Sequence, residues 1–191
     1  METTSNTLYW GILYILLDSG VQKAIHDELD IKIGSDRLIT MADRSKLHYM
    51  NAAITEIQRL ANLLPMNVLH ETTCDVEIEG YSIPKGTLVL PQISTVMYDE
   101  EVFPRPYDFN PRRHLAADGT FVKIEQVIPF SLGKRQCLGE GIARMELFLF
   151  LANFFNTFEI AMDGDRIPTT RKTFSGIVRA QDFRVVLKER H

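Results

Sequence analysis

One cysteine in this sequence stands where a thiol could do chemistry. Cys137 lies in Phe130-Ser131-Leu132-Gly133-Lys134-Arg135-Gln136-Cys137-Leu138-Gly139, a glycine-punctuated loop with two basic residues ahead of the thiol. The plainest reading is a small buried side chain between permissive glycines, since free cysteine commonly behaves as an apolar residue. Phosphate chemistry fits poorly. Six residues separate Cys137 from Arg144, one too many for a cradle in which amides and a guanidinium wrap one phosphate. Lys134 is followed by Arg135 rather than Ser or Thr, so the nucleotide P-loop fails. Gly139-Glu140-Gly141 would need a third glycine where Arg144 stands to bind a dinucleotide.

A ligand role fits better. Backbone amides at a helix start and nearby positive charge both stabilise a thiolate. Cys137 precedes a segment that reads as an apolar helix, and Arg135 lies two residues upstream. None of His26, His48, His70, His114 and His191 stands at zinc-site spacing around it. A single thiolate can instead hold the iron of a haem, whose porphyrin supplies four nitrogens. Arg135 then suits a haem carboxylate, which a guanidinium pairs bidentately. A nucleophilic thiol enzyme is the weaker alternative, because no His, Asn or Asp partner for Cys137 is identifiable.

These residues resemble a known family. Phe130, Gly133, Arg135, Cys137 and Gly139 fill the fixed positions of F-x-x-G-x-R-x-C-x-G, the haem-binding signature of the cytochrome P-450 haem-thiolate monooxygenases. Glu56-Ile57-Gln58-Arg59 resembles the E-x-x-R of the same family. Ala52, Ala53 and Leu60 flank Glu56 at helical spacing, so this carboxylate sits on an apolar side and needs a fixed partner. Arg113, in Phe109-Asn110-Pro111-Arg112-Arg113-His114-Leu115, resembles the further arginine that completes the family's ion-pair network. His114 takes the place of the usual aromatic. His70 resembles the position that donates to a haem propionate. Met1-Glu2-Thr3-Thr4 resembles the end of the oxygen-activation motif, with Glu2 and Thr3 as the acid and the threonine.

The resemblance implies a haem b cofactor with Cys137 as axial thiolate, and Arg135 and His70 as propionate partners. It implies Glu2 and Thr3 as the proton-delivery pair. Leu64, Met66, Asn67, Val68, Phe174, Ser175, Gly176 and Ile177 fall in its substrate-contact loops. The implied activity inserts one atom of dioxygen into a lipophilic substrate, with NADPH electrons arriving through a cytochrome reductase. The implied location is the cytoplasmic face of the endoplasmic reticulum membrane, in the animal microsomal type. The likeness spans nearly the whole chain but only the C-terminal part of the family, well under half of a full member. It therefore implies one partial domain over 1–191, without the N-terminal half and with no membrane anchor of its own. The alternative is a truncated, catalytically inactive fragment that keeps at most the proximal haem contacts.

Bulk properties agree. At 191 residues, 45% hydrophobic and 24% charged, the chain suits one ordinary globular domain. A net charge of -4 and no basic run argue against nucleic acid as a partner. Two cysteines make no disulfide framework. The opening residues carry neither a basic n-region nor an apolar run of membrane length.

The elements that must position these side chains are mostly helical. Leu8, Ile12, Ile15 and Leu16 share a helix face, broken at Asp18-Ser19-Gly20. Val21, Ile25 and Leu29 mark a second helix that Gly34 ends. Met50, Ile54, Ile57, Ala61 and Leu64 stripe a third from about Tyr49 until Pro65 stops it. Val76, Ile78, Tyr81, Ile83 and then Thr87 to Leu90 read as a small β meander. Tyr98 to Ala117 is loop, and a last helix runs from Glu140 to Phe155. The tail segments around Phe158-Glu159-Ile160 and Val185-Val186-Leu187 pair as closing strands. The expected fold is mainly α with a minor β part, the C-terminal part of the cytochrome P-450 fold.

Overall fold

The computed structural model describes residues 2–35 and 37–191. Met1, quoted in the oxygen-activation match, lies outside them. Four long helices carry the core: α1 (Glu2–Leu17), α2 (Ser19–Lys32), α3 (His48–Ala61) and α5 (Glu140–Thr157). Their apolar faces meet around Trp10, Leu13, Ile25, Leu29, Met50, Ile57, Phe148, Leu151 and Phe155, all fully or almost fully buried. Gly11 lets α1 come close: a Cβ there would lie 3.1 Å from Ile57 Cδ1 and 3.4 Å from Leu151 Cδ2. Asp18, between α1 and α2, caps α2 by accepting from Val21 N at 3.0 Å.

The third helix ends three residues before the expected stop. Asn62 adopts a left-handed conformation, φ 44°, and closes α3 with its N–H on the Gln58 carbonyl. Pro65 lies beyond this cap and is not what terminates the helix.

The β part is four two-stranded antiparallel ladders. The expected meander divides. β2 (Val76–Ile78) pairs β3 (Tyr81–Ile83) as a hairpin, while β4 (Leu88–Val89) pairs back to β1 (His70–Glu71). The closing pair forms as expected, β5 (Phe158–Met162) with β8 (Val185–Glu189), Ile160 opposite Leu187. Between them β6 (Thr173–Phe174) and β7 (Val178–Arg179) make a tight hairpin around Gly176, φ 85°. A short helix α4 (Ile93–Met97) precedes the loop from Tyr98, which contains a single 3-10 turn at Pro111–His114.

Buried amides lock helices to strands and loops. The Gln22 amide donates to the Ile160 carbonyl at 3.0 Å and accepts from Ile160 N at 2.8 Å, acting as an extra strand partner for β5. Asn153 on α5 brackets the backbone of Ile39 in the same way, at 2.8 and 3.1 Å. Among the described residues no helix is long and apolar enough to cross a membrane.

Candidate functional site: the cysteine loop and its ion-pair anchor

The Cys137 loop is built from backbone constraints. Ser131 (φ 64°) and Gly133 (φ 77°) both take left-handed conformations, so the chain turns tightly before the thiol. Cys137 N donates to the Phe130 carbonyl at 2.9 Å and closes the loop on itself. Gly139 then begins α5, with the Ala143 N–H on its carbonyl at 2.9 Å. The thiol is solvent-exposed rather than buried, which removes the filler reading.

Three segments supply most of the wall of a cavity of about 270 Å³ beside this loop, with Gln58, Ile93, Ala143 and Leu147 completing it. α1 contributes Thr3, Thr4 and Thr7; the chain after α3 contributes Leu64, Asn67 and Val68; the loop contributes Phe130, Arg135 and Cys137. Asn67 Nδ2 donates to Ser131 Oγ at 2.7 Å and ties the second segment to the third. The Arg144 guanidinium lies 4.9 Å from the Phe130 ring centroid while its Nε bonds Glu140 at 2.7 Å. The sequence drew attention to Arg144 only in the rejected phosphate and dinucleotide readings. Its place one turn past Glu140, on the flank facing the loop, was the available signal.

Other expected residues stand apart from this cavity. Glu2 pairs with Arg179 on β7 and is not in the lining. His70 opens β1 and donates from Nδ1 to the Val68 carbonyl. Met66 is outside the lining, and Phe174, Ser175 and Gly176 are exposed on the β6–β7 hairpin with Ile177 half-buried beside them. Gly133 and Gly139 shape the loop without lining the cavity.

The anchor behind the loop is a single buried carboxylate with five donors. Glu56 is fully buried. Its Oε2 accepts from Arg59 Nε at 2.8 Å and from His114 Nε2 at 2.9 Å. Its Oε1 accepts from Arg59 Nη2 at 2.9 Å, Arg113 Nε at 2.9 Å and Asn110 N at 3.1 Å. Burial alone would raise the pKa of Glu56. Hydrogen bonds from Arg59 and His114, with the charges of Arg59 and Arg113, outweigh it and hold the pKa below the ordinary value. The arginines spend their other donors on loop carbonyls. Arg59 reaches Met97 O and Pro106 O at 2.8 and 2.7 Å, and Arg113 reaches Pro104 O at 3.2 Å. The segment from α4 to the 3-10 turn is thus pinned to α3 by backbone contacts that need no side-chain complementarity.

The structure thus holds a thiol just ahead of a helix start, an arginine beside it on a shared cavity wall, and a buried Glu–Arg–Arg anchor on α3. The family model described as cytochrome P450 matches residues 1–186. The chain is 41% identical to cytochrome P450 2D26 of Rattus norvegicus over 186 residues, 97% of this chain and 37% of that protein. It is 45% identical to cytochrome P450 2D27 of Mesocricetus auratus over 92% of this chain and 35% of that one. It is 40% identical to cytochrome P450 2D6 of Homo sapiens over 96% of this chain and 37% of that one. The chain belongs to the cytochrome P450 family. It spans little more than a third of the length of these relatives.

Proposed function

We propose that this chain carries the proximal half of a haem site in a monooxygenase acting on lipophilic organic substrates, with Cys137 as the axial thiolate. The observation that carries the reading is the exposed Cys137 thiol on the wall of a cavity that it shares with Arg135, with apolar side chains that include Leu63, Leu64, Val68 and Leu147, and with polar ones that include Thr3, Thr4 and Asn67. The apolar part of that wall, one thiolate and one guanidinium suit an apolar macrocycle with a metal centre and acidic arms. Among the described residues no group of three or more His, Cys, Asp or Glu could hold a bare metal ion.

When bound, the haem supplies dioxygen activation and oxygen transfer. The chain's own residues do the rest. Cys137 would hold the iron as a thiolate, and the loop closed by its N–H on the Phe130 carbonyl would present the sulfur. Arg135 would pair a propionate, with His70 as a second propionate partner reached by rotation of its half-buried ring. The Thr3 and Thr4 hydroxyls, on the cavity wall, would pass protons. Leu64, Asn67 and Val68 would contact substrate, and Met66 and Phe174 to Ile177 would extend that surface. Electrons would come from NADPH through a reductase, at the cytoplasmic face of the endoplasmic reticulum.

A second reading, a haem-holding but inert chain, draws on Glu2. The expected acid points to Arg179 instead of the cavity, which leaves the threonines without an adjacent carboxylate. One experiment separates the two. The chain is reconstituted with haem, reduced under carbon monoxide, and assayed with a reductase and NADPH. A thiolate-type carbonyl spectrum with substrate-dependent NADPH use supports the monooxygenase. The same spectrum without turnover supports the inert reading, and no such spectrum overturns both.

A further inference from the structure

We propose that His114 is a positioning residue for Glu56, held as a neutral imidazole with its proton on Nε2, and that it completes the carboxylate's donor shell without adding charge. The inference does not depend on haem binding. His114 is fully buried, and its Nε2 lies 2.9 Å from Glu56 Oε2. Its other ring nitrogen, Nδ1, is buried with no hydrogen-bond partner. With Nε2 donating to the carboxylate, a second proton on Nδ1 would make the ring cationic and leave a buried donor with no acceptor to offset its desolvation. A carboxylate facing Nε2 accepts and cannot donate. Both ring nitrogens therefore ask for one tautomer, Nε2–H with Nδ1 bare.

Charge arithmetic leads to the same state. Glu56 contributes one negative charge and Arg59 and Arg113 two positive ones, so the buried cluster is already one positive charge in excess. A cationic imidazole in the same enclosure would add like charge beside two guanidiniums. A neutral N–H satisfies the remaining direction of Oε2, which Arg59 Nε alone would leave half-used. With Oε2 held by Arg59 and His114, the carboxylate plane is fixed. Oε1 then faces Arg113 Nε and Asn110 N together, and the 3-10 turn at Pro111–His114 is locked on α3 from both of its ends. The aromatic that the resemblance leads one to expect at this position would fill the space but supply no donor.

The test reads the tautomer directly and then its consequence. Imidazole nitrogen-15 shifts of His114 are measured in the full, unaltered chain at neutral pH. The expected result is a pyrrole-type Nε2 and a pyridine-type Nδ1. A protonated Nδ1, alone or together with Nε2, overturns the proposal, and this measurement needs no variant to fold. Urea unfolding of His114→Phe and His114→Gln follows. Gln can present its amide N–H near the Nε2 position, whereas Phe keeps the ring and loses the donor. The Phe variant is expected to lose roughly tenfold to a hundredfold in the folding equilibrium, the span for a hydrogen bond to a charged group, and the Gln variant less. A Phe variant as stable as the parent, or a Gln variant no better than Phe, would show that His114 only fills space.

Discussion

Lys172 shows how much a single side chain can be asked to do in this molecule. Its Nζ donates to the Leu60 and Ala61 carbonyls at the end of α3 and to the Tyr98 hydroxyl. Burial, with a contribution from the Arg59 charge, pushes its pKa down from 10.5 to about 8. Between those values the unfolded chain holds a proton that the folded chain has released, so folding stability rises with pH across that window. Tyr98, pushed up from 10.0 to about 12 by burial, works in the opposite direction above pH 10. We therefore expect urea unfolding to show stability increasing between about pH 7.5 and 9.5, by on the order of 2 kcal/mol. Lys172→Met should flatten that rise, and an equal rise in the variant would assign it elsewhere. None of this was visible in the sequence, because Lys172 meets its partners across more than 70 residues of chain. Glu56 was different. Its apolar helical flanks and Arg59 one turn on announced a buried pair before any coordinates. His114 was noticed only as a departure from an aromatic, since its bond to Glu56 joins residues 58 apart.

At the scale of elements, α3 is the part that organises the site, and it is capped by other elements. Its N-terminus has no side-chain cap of its own. Glu28 on α2 accepts instead from Tyr49 N at 2.7 Å and Met50 N at 2.9 Å. A carboxylate at the N-terminus and an ammonium at the C-terminus both oppose the helix dipole. Removing the first, with Glu28→Ala, should cost about 1–2 kcal/mol by the measure of lost N-terminal caps. A loss below a few tenths in chemical denaturation would contradict that role. The long helices were legible because their apolar residues recur at helical spacing. Their ends were less so: Pro65 attracted the boundary that Asn62 sets. α4 and the separation of β1–β4 from β2–β3 were missed, because five-residue helices and two-residue strands are fixed by distant partners rather than by local pattern.

For the whole molecule, α5 is the informative helix. Its apolar residues are not confined to the packed side: Leu147, Phe148, Leu151 and Phe155 are buried, while Ile142 and Phe150 are well exposed and Leu138, just ahead of the helix, is wholly so. Large apolar side chains left exposed in this way promote association. We expect concentration-dependent self-association of the isolated chain in sedimentation experiments, reduced by Ile142→Lys with Phe150→Lys. A monomer at all concentrations would count against it. The family likeness explains which residues surround Cys137.

The central claim is that Cys137 is a haem ligand, and the most direct measurement is a haem titration of the full chain against Cys137→Ser. The parent should take up haem, and its reduced carbonyl complex should show the Soret position of a thiolate ligand. The serine variant, with the loop otherwise intact, should lose that thiolate spectrum. An identical thiolate-type spectrum in both proteins, or no specific uptake by the parent, would contradict the assignment.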